Sequence, residues 1–301
     1  MRFFKKLRAG SGALAVAAML AVTTAGPAGA ITGDYAKDNE HPFVGLIVFY
    51  DSTGGFNHRC SGSLLTPTVF LTAGHCTAGA LSARVYFQQD AGVDWSPQTG
   101  IDPDTGYPSI CAAGTEGTQC ATSHEMYNYG YTTIDAVPET KDAGLVILDQ
   151  PIALSEYGQL AAAGTLDSLA SKRGQQETAF TSSGFGISDA NPAAGETSFR
   201  ERLMAQSKLT NLNSASTDGY NVQTNGNGNG NGGTCTADSG GPLFYGTAGS
   251  NTITGITSFN HNRYCNGTNF SYRTDRQDVI DWIQANTTKE EFGQIVFSPA
   301  S

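Results

Sequence analysis

The chain has 301 residues, with 27 acidic against 17 basic side chains and a formal net charge of −10. An acid excess of this kind excludes nucleic acid and anionic membrane as electrostatic partners, and is silent on fold. Thirty-seven glycines, few charged residues and many short apolar runs point to an all-β chain rich in turns, long enough to bury a core unaided.

Residues 1–30 read as an export signal. Arg2, Lys5, Lys6 and Arg8 form a basic start, Gly12 to Val22 is a small-residue apolar run, and Ala28-Gly29-Ala30 is an A-x-A cleavage site. The run is too short and too rich in Ala and Gly for a membrane span. It contains no Arg-Arg pair, which favours the general secretory route, and its composition has a bacterial look. Without its four basic residues, 13 basic face 27 acidic side chains, a net charge of −14. Cys60, Cys76, Cys111, Cys120, Cys235 and Cys265 make an even set in an exported chain, so disulfides are expected, with 15 connectivities open. There is no C-x-x-C and no paired histidine spacing, so neither a metal nor a cofactor is expected.

In chain order, Phe43 to Tyr50 is a β-rich run bounded by Pro42 and Asp51-Ser52, and reads as a buried strand. Cys60 to Leu65 and Val69 to Ala73 are two more, separated by Thr66-Pro67-Thr68, and Ala83 to Phe87 is another. From Asp90 to Tyr131 the pattern weakens into a long loop, in which a Cys111–Cys120 bridge would act as a local staple. Gly144 to Leu148 is again a buried strand, and Ala179 to Phe185, Leu203 to Leu212, Leu243 to Tyr245 and Thr252 to Phe259 continue the β pattern. The Asn-Gly tract from Asn225 to Gly232 reads as a mobile loop. Asp278 to Ala285 is an amphipathic helix, while Phe292 to Phe297 could be strand or frayed end.

The chemistry centres on Gly232-Gly233-Thr234-Cys235-Thr236-Ala237-Asp238-Ser239-Gly240-Gly241-Pro242, a turn suited to presenting a hydroxyl. A serine hydroxyl is a weak nucleophile without a fixed general base. Among the five histidines (His41, His58, His75, His124, His261), His75 stands out at the end of Leu71-Thr72-Ala73-Gly74-His75-Cys76. Asp142 opens a buried apolar run, where an unpaired carboxylate would be costly, so an imidazole partner is expected. The order His75, Asp142, Ser239 follows. An α/β-hydrolase elbow fails: Ala237 fills its first glycine, and no acid lies between Ser239 and His261.

In these motifs the chain resembles the chymotrypsin/trypsin-like serine peptidases: L-T-A-G-H-C around His75, D-A-G-L-V-I-L from Asp142 and D-S-G-G-P-L around Ser239. Gly184-Phe185-Gly186 and Asp281-Trp282-Ile283 resemble the family's Gly-Trp-Gly turn and C-terminal helix. The resemblance implies two six-stranded antiparallel β-barrels and a short C-terminal α-helix. Its expected division is a leader over 1–30 and a domain over 31–301, with barrels over 31–160 and 161–301. It also implies a secreted, monomeric endopeptidase acting on proteins or peptides by a Ser-His-Asp acyl-enzyme route. His75, Asp142 and Ser239 would be catalytic, and the N–H groups of Ala237 and Ser239 the oxyanion hole. Cys60–Cys76 would pin the histidine loop and Cys235–Cys265 the substrate pocket. The pocket would be formed by Gly233, Thr234, Ser258, Phe259 and Asn260, with Phe270 on a further wall and a neutral residue before the scissile bond. Ile31-Thr32-Gly33-Asp34 resembles the family's Ile-Val-Gly-Gly start, so signal cleavage would free an Ile31 ammonium to pair with Asp238.

Ala237 departs from the pattern, since glycine is usual there and a positive φ costs alanine ~1 kcal/mol or more. A catalytically weak homologue acting by binding or adhesion is therefore the alternative, with the loop at 90–131 as a surface for it.

Overall fold

The computed structural model describes residues 31–91, 111, 119–170, 177–189, 197–198, 201–226, 230–262, 264–265 and 267–299. The export signal, most of the loop after Asp90 and the centre of the Asn-Gly tract lie outside them. The chain enters through two short strands, β1 (Thr32–Gly33) and β2 (Tyr35–Lys37). The first sheet follows: β3 (Val44–Tyr50), β4 (Phe56–Leu64), β5 (Val69–Thr72), a single-turn helix α1 (Gly74–Thr77), β6 (Ser82–Tyr86), β7 (Cys120–Ser123), β8 (Glu125–Asn128) and β9 (Gly144–Ile147). Its order is β7-β6-β3-β4-β5-β9-β8, all antiparallel. The end strands β7 and β8 are consecutive in sequence, interrupted only at His124, so the sheet curls into a nearly closed barrel.

The second half continues with β10 (Gln159–Ala161), α2 (Asp167–Ala170), β11 (Ala179–Gly184), a ribbon of β12 (Ile187–Asp189) and β13 (Thr197–Ser198), β14 (Leu203–Asn211), β15 (Asn221–Asn225) and β16 (Gly232–Gly233). It ends with β17 (Pro242–Tyr245), β18 (Thr252–Asn260), β19 (Thr268–Arg273), α3 (Gln277–Ala285), α4 (Lys289–Gln294) and β20 (Phe297–Ser298). Strands β17, β11, β14, β15, β19 and β18 form a ring that the β17–β18 pairing closes. This is the two-barrel, all-β architecture expected from the sequence. Two details differ: β10 pairs in parallel with β18 and β20, and the entering strands β1 and β2 pair with β16 and β14 of the second half.

The local reasons are legible. Every residue of β3 is buried, which fits its unbroken apolar run, whereas β14 alternates, with Leu203, Ala205, Ser207 and Leu209 turned inward. The loop expected across 90–131 contains β7 and β8. Their sequences, Cys-Ala-Thr-Ser and Glu-Met-Tyr-Asn, lack a strong alternating pattern and become strands by pairing with β6 and β9. The end of the chain is neither strand nor frayed over 289–294. Thr288 accepts from the Glu291 N–H, and Glu291 reaches back to the Thr288 N–H, a reciprocal cap that starts α4.

The largest apolar cluster fills the first barrel and crosses into the second through Phe244, Ile253, Ile256 and Tyr272. A smaller one, around Phe180, Val222 and Leu243, fills the second barrel. After α3 the tail straps the two together. The Thr68 hydroxyl in the first half donates to Glu291 (2.9 Å), Ile295 enters the large cluster and β20 pairs with β10. Replacing Ile295, which is 6% exposed, with Ala is expected to cost about 2–4 kcal/mol and lower Tm by about 5–15 °C. Val296→Ala, at a side chain 51% exposed, is expected to stay within about 0.5 kcal/mol. Thermal unfolding of both variants checks the pair.

Candidate active site

His75 follows the first residue of α1, directly after β5, and Asp142 lies just before β9, the strand that pairs with β5. Thr72 is paired with Gly144, so the two side chains leave neighbouring strand ends and meet. The Asp142 carboxylate accepts the His75 backbone N–H at 2.8 Å and faces ring Nδ1 at 2.9 and 3.1 Å. A third donor comes from the second barrel, where the Ser258 hydroxyl bonds Asp142 Oδ2 at 2.5 Å. Asp142 is fully buried while the His75 side chain is 27% exposed, so the imidazole is held from behind and open in front. The Tyr131 ring lies 5.6 Å from it, centre to centre.

Ser239 is brought to this place by a tight turn. Gly240 has φ +83, and a side chain there would strike the Thr72 hydroxyl and the Ser61 carbonyl, so only glycine fits. The Ser239 carbonyl accepts the Ser61 N–H at 2.8 Å, and the Gly240 N–H bonds Thr257 O at 2.8 Å. The Ser239 hydroxyl and the His75 ring are not themselves hydrogen-bonded. Ala237 has φ +71, the left-handed conformation that costs an alanine roughly 1–2 kcal/mol.

Asp238, between them, is fully buried. Its carboxylate accepts the Gly186 N–H (2.8 Å) and the Cys235 N–H (2.9 Å), and no ion pair reaches it among the described residues. Burial pushes its pKa up to about 7, against the pull of those two bonds and of the Arg59 charge. Ile31 is also fully buried, packed on Leu203 and Ala205, and carries φ +75, an outlier for a β-branched residue. Thr32 pairs with Gly233, which runs the entering strand alongside the serine loop.

A cavity of about 250 Å³ opens beside Ser239, with Thr257 to Asn260 on one wall and Thr236, Ala237 and Ser239 on the other. None of its described lining residues is charged. Of the pocket expected from the sequence, Ser258, Phe259 and Asn260 line it and Gly233 and Thr234 do not. The Asn260 amide crosses to bond Thr234 O at 2.8 Å, and the Asn269 amide packs where a side chain on Gly233 would go. Phe270 lies behind the wall, stacked on Phe259 with centroids 4.5 Å apart.

The cysteines pair as 60–76, 111–120 and 235–265. Cys60, His75 and Cys76 are the one close grouping of metal-ligand types among the described residues, but both sulfurs are bonded to each other. A second Ser-His-Asp grouping, Ser183, His41 and Asp38, is sealed inside the protein. His41 faces both Asp38 oxygens at 2.9 Å and stacks on Phe244. Burial alone would raise the Asp38 pKa, but bonds from His41 and Ser183 and the Arg202 charge hold it below the ordinary carboxylate value. With no exposed surface, this grouping is structural.

Three neighbours of the site escaped the sequence reading. Ser258 was expected only as a pocket wall, Ser61 only as a strand residue, and Tyr131 only as the end of a loop. The Tyr127, Tyr129, Tyr131 spacing was the one available signal for the last.

The Trypsin family profile matches residues 30–283. Trypsin zeta of Drosophila erecta is 27% identical over 154 residues, 48% of each chain, so the chain spans about half the length of that curated relative. An insect relative gives no support to the bacterial look of the leader. Among solved structures, HL collagenase superposes with a TM-score of 0.60 at 18% identity, covering 85% of this chain and 97% of its own. Human heparin binding protein does so with a TM-score of 0.56 at 18% identity, covering 85% and 95%. With the family profile matched over most of its length, the chain belongs to the trypsin family.

Proposed function

We propose that the protein is a secreted serine endopeptidase in which Ser239 attacks the scissile carbonyl. His75 takes the serine proton and returns it to the leaving amine. Asp142 holds the imidazole tautomer and stabilises the imidazolium. The observation that carries this is the buried Asp142 carboxylate, which receives His75 twice and Ser258 once beside the Ser239 turn. The N–H groups of Ala237 and Ser239 form the oxyanion hole, and the left-handed Ala237 supports that assignment. The enzyme acts as a monomer on proteins or peptides. Among the described residues no helix is long and apolar enough to cross a membrane.

A neutral, small or medium side chain precedes the scissile bond. No described residue lining the cavity beside Ser239 is charged, and Asn260 closes the way toward Gly233. Activation follows from cleavage after Ala30. With residues 1–30 attached, Ile31 has no ammonium, Asp238 is buried with no ion pair among the described residues, and Ile31 is strained at φ +75. Because the φ of Ile31 is defined by the Ala30 carbonyl carbon, cleavage after Ala30 removes that strain and supplies an ammonium for Asp238 together.

The second reading is a binding protein without catalysis. Its support is that residue 237 is an alanine, which pays for the φ that glycine would adopt freely, alongside a heparin binding protein of like fold. The acid excess of this chain argues against a polyanion as its ligand.

Three outcomes are expected. A phosphonofluoridate labels Ser239 covalently, and Ser239→Ala lowers kcat by on the order of 10⁶; labelling elsewhere or none supports the binding reading. On a chromogenic peptide panel, cleavage after small neutral residues exceeds cleavage after Arg, and the reverse order overturns the pocket assignment. The third concerns pH. In a Ser239→Ala chain with a short polar extension before Ile31, folded Asp238 titrates near 7 and unfolded Asp near about 4. The folded state then binds the extra proton between these values, so stability falls as pH rises from about 4 to about 7. In a chain starting at Ile31 the ammonium holds the carboxylate ionised, and this decline is absent. Thermal melts of the two forms across that range should diverge; parallel curves reject the pairing.

A further inference from the structure

Ala237 is the strained residue of the nucleophile loop, and both peptide planes beside its Cα are hydrogen-bonded, the first at one end and the second at both. The Thr236–Ala237 peptide, which carries the N–H of the oxyanion hole, is held through Thr236 O by the Ile187 N–H at 2.8 Å. The Ala237–Asp238 peptide is held at its N–H end by Cys235 O at 3.1 Å, which closes a turn, and at its carbonyl end by the Ser61 hydroxyl at 3.0 Å. The φ of +71 is the rotation between these two planes. Without the Ser61 bond the Ala237–Asp238 plane is held at its N–H end alone, so it is free to tilt toward a less strained φ and carry the hole's N–H with it.

Ser61 is fitted for this hold. It is fully buried in β4 of the first barrel, beside the Cys60–Cys76 bridge. Its hydroxyl has one proton to give and lone pairs to receive. It accepts the Phe185 N–H at 2.9 Å, which leaves the proton aimed at Ala237 O. The same residue's backbone N–H bonds Ser239 O at 2.8 Å, so one residue of the first barrel grips the loop on both sides of Asp238. Asp238 is tied separately to Gly186 and Cys235, which leaves Ala237 as the pivot.

We infer that Ser61 is a positioning residue that keeps the oxyanion hole formed despite alanine at position 237, the hydroxyl and the alanine acting as a coupled pair. This rests on the peptidase reading above. It assigns Ser61 no contact with substrate; it acts through Ala237.

A double-mutant cycle on the secreted full chain tests it, using a peptide substrate and a peptide boronic acid whose tetrahedral adduct places an oxygen in the hole. Active sites are counted by phosphonofluoridate labelling. Ser61→Ala should lower kcat about tenfold, with KM within about twofold, and weaken boronate binding by a similar factor. In the Ala237→Gly background, where glycine holds positive φ without strain, the same change should cost no more than about threefold. Equal losses in both backgrounds, no loss in either, or a loss confined to KM overturns the inference. If Ser61→Ala does not fold, the comparison within the Ala237→Gly background decides, and a tenfold loss there overturns it. Wild-type protein that neither cleaves peptide nor binds the boronate overturns the peptidase reading and this one together; an active wild type without coupling overturns this one alone.

Discussion

A carboxylate with no exposed surface must find hydrogen bonds from whatever surrounds it, and Asp142 finds them from both barrels. His75 comes from the first, through the pairing of β5 with β9, and Ser258 comes from the second, along β18. Asp142 thereby ties the histidine turn of the first barrel to β18 of the second. Without that carboxylate the His75 ring would lose its Nδ1 partner.

The same cross-barrel dependence recurs through the molecule. Ser61 holds the carbonyls of Ala237 and Ser239 across the interface, and Ser183 meets Asp38 and His41 in a sealed network on its other side. Phe244 and Tyr272 join the large apolar cluster, and the tail after α3 closes the back through Glu291 and Ile295. Polar contacts in this interface set geometry more than stability, since each replaces a bond to water, while the apolar cluster supplies the net attraction. A strained loop such as that at Ala237 persists because the interface over-determines it.

Much of the fold was legible because its signals are local. The unbroken apolar run of β3, the alternation in β14 and the amphipathic α3 follow from side-chain spacing alone. The strands β7 and β8 were hidden, since Cys-Ala-Thr-Ser and Glu-Met-Tyr-Asn become strands only by hydrogen-bonding to partners already in place. The same holds for β10 and β20, three and two residues long, whose parallel pairing joins segments well over a hundred residues apart.

By itself the sequence determined the all-β character and the chain order of histidine, aspartate and serine. It also marked the alanine in the serine turn as out of place. Each of these is written in a run of a few residues whose chemistry is strained or costly without a particular partner. Tertiary structure alone decided that Ser258 serves Asp142 as well as the pocket wall, that Asn260 and Asn269 close off Gly233, and that Ser61 grips the turn at Ala237. Those contacts join residues separated by as many as 176 positions, and they depend on strand register and barrel packing, which no local spacing encodes.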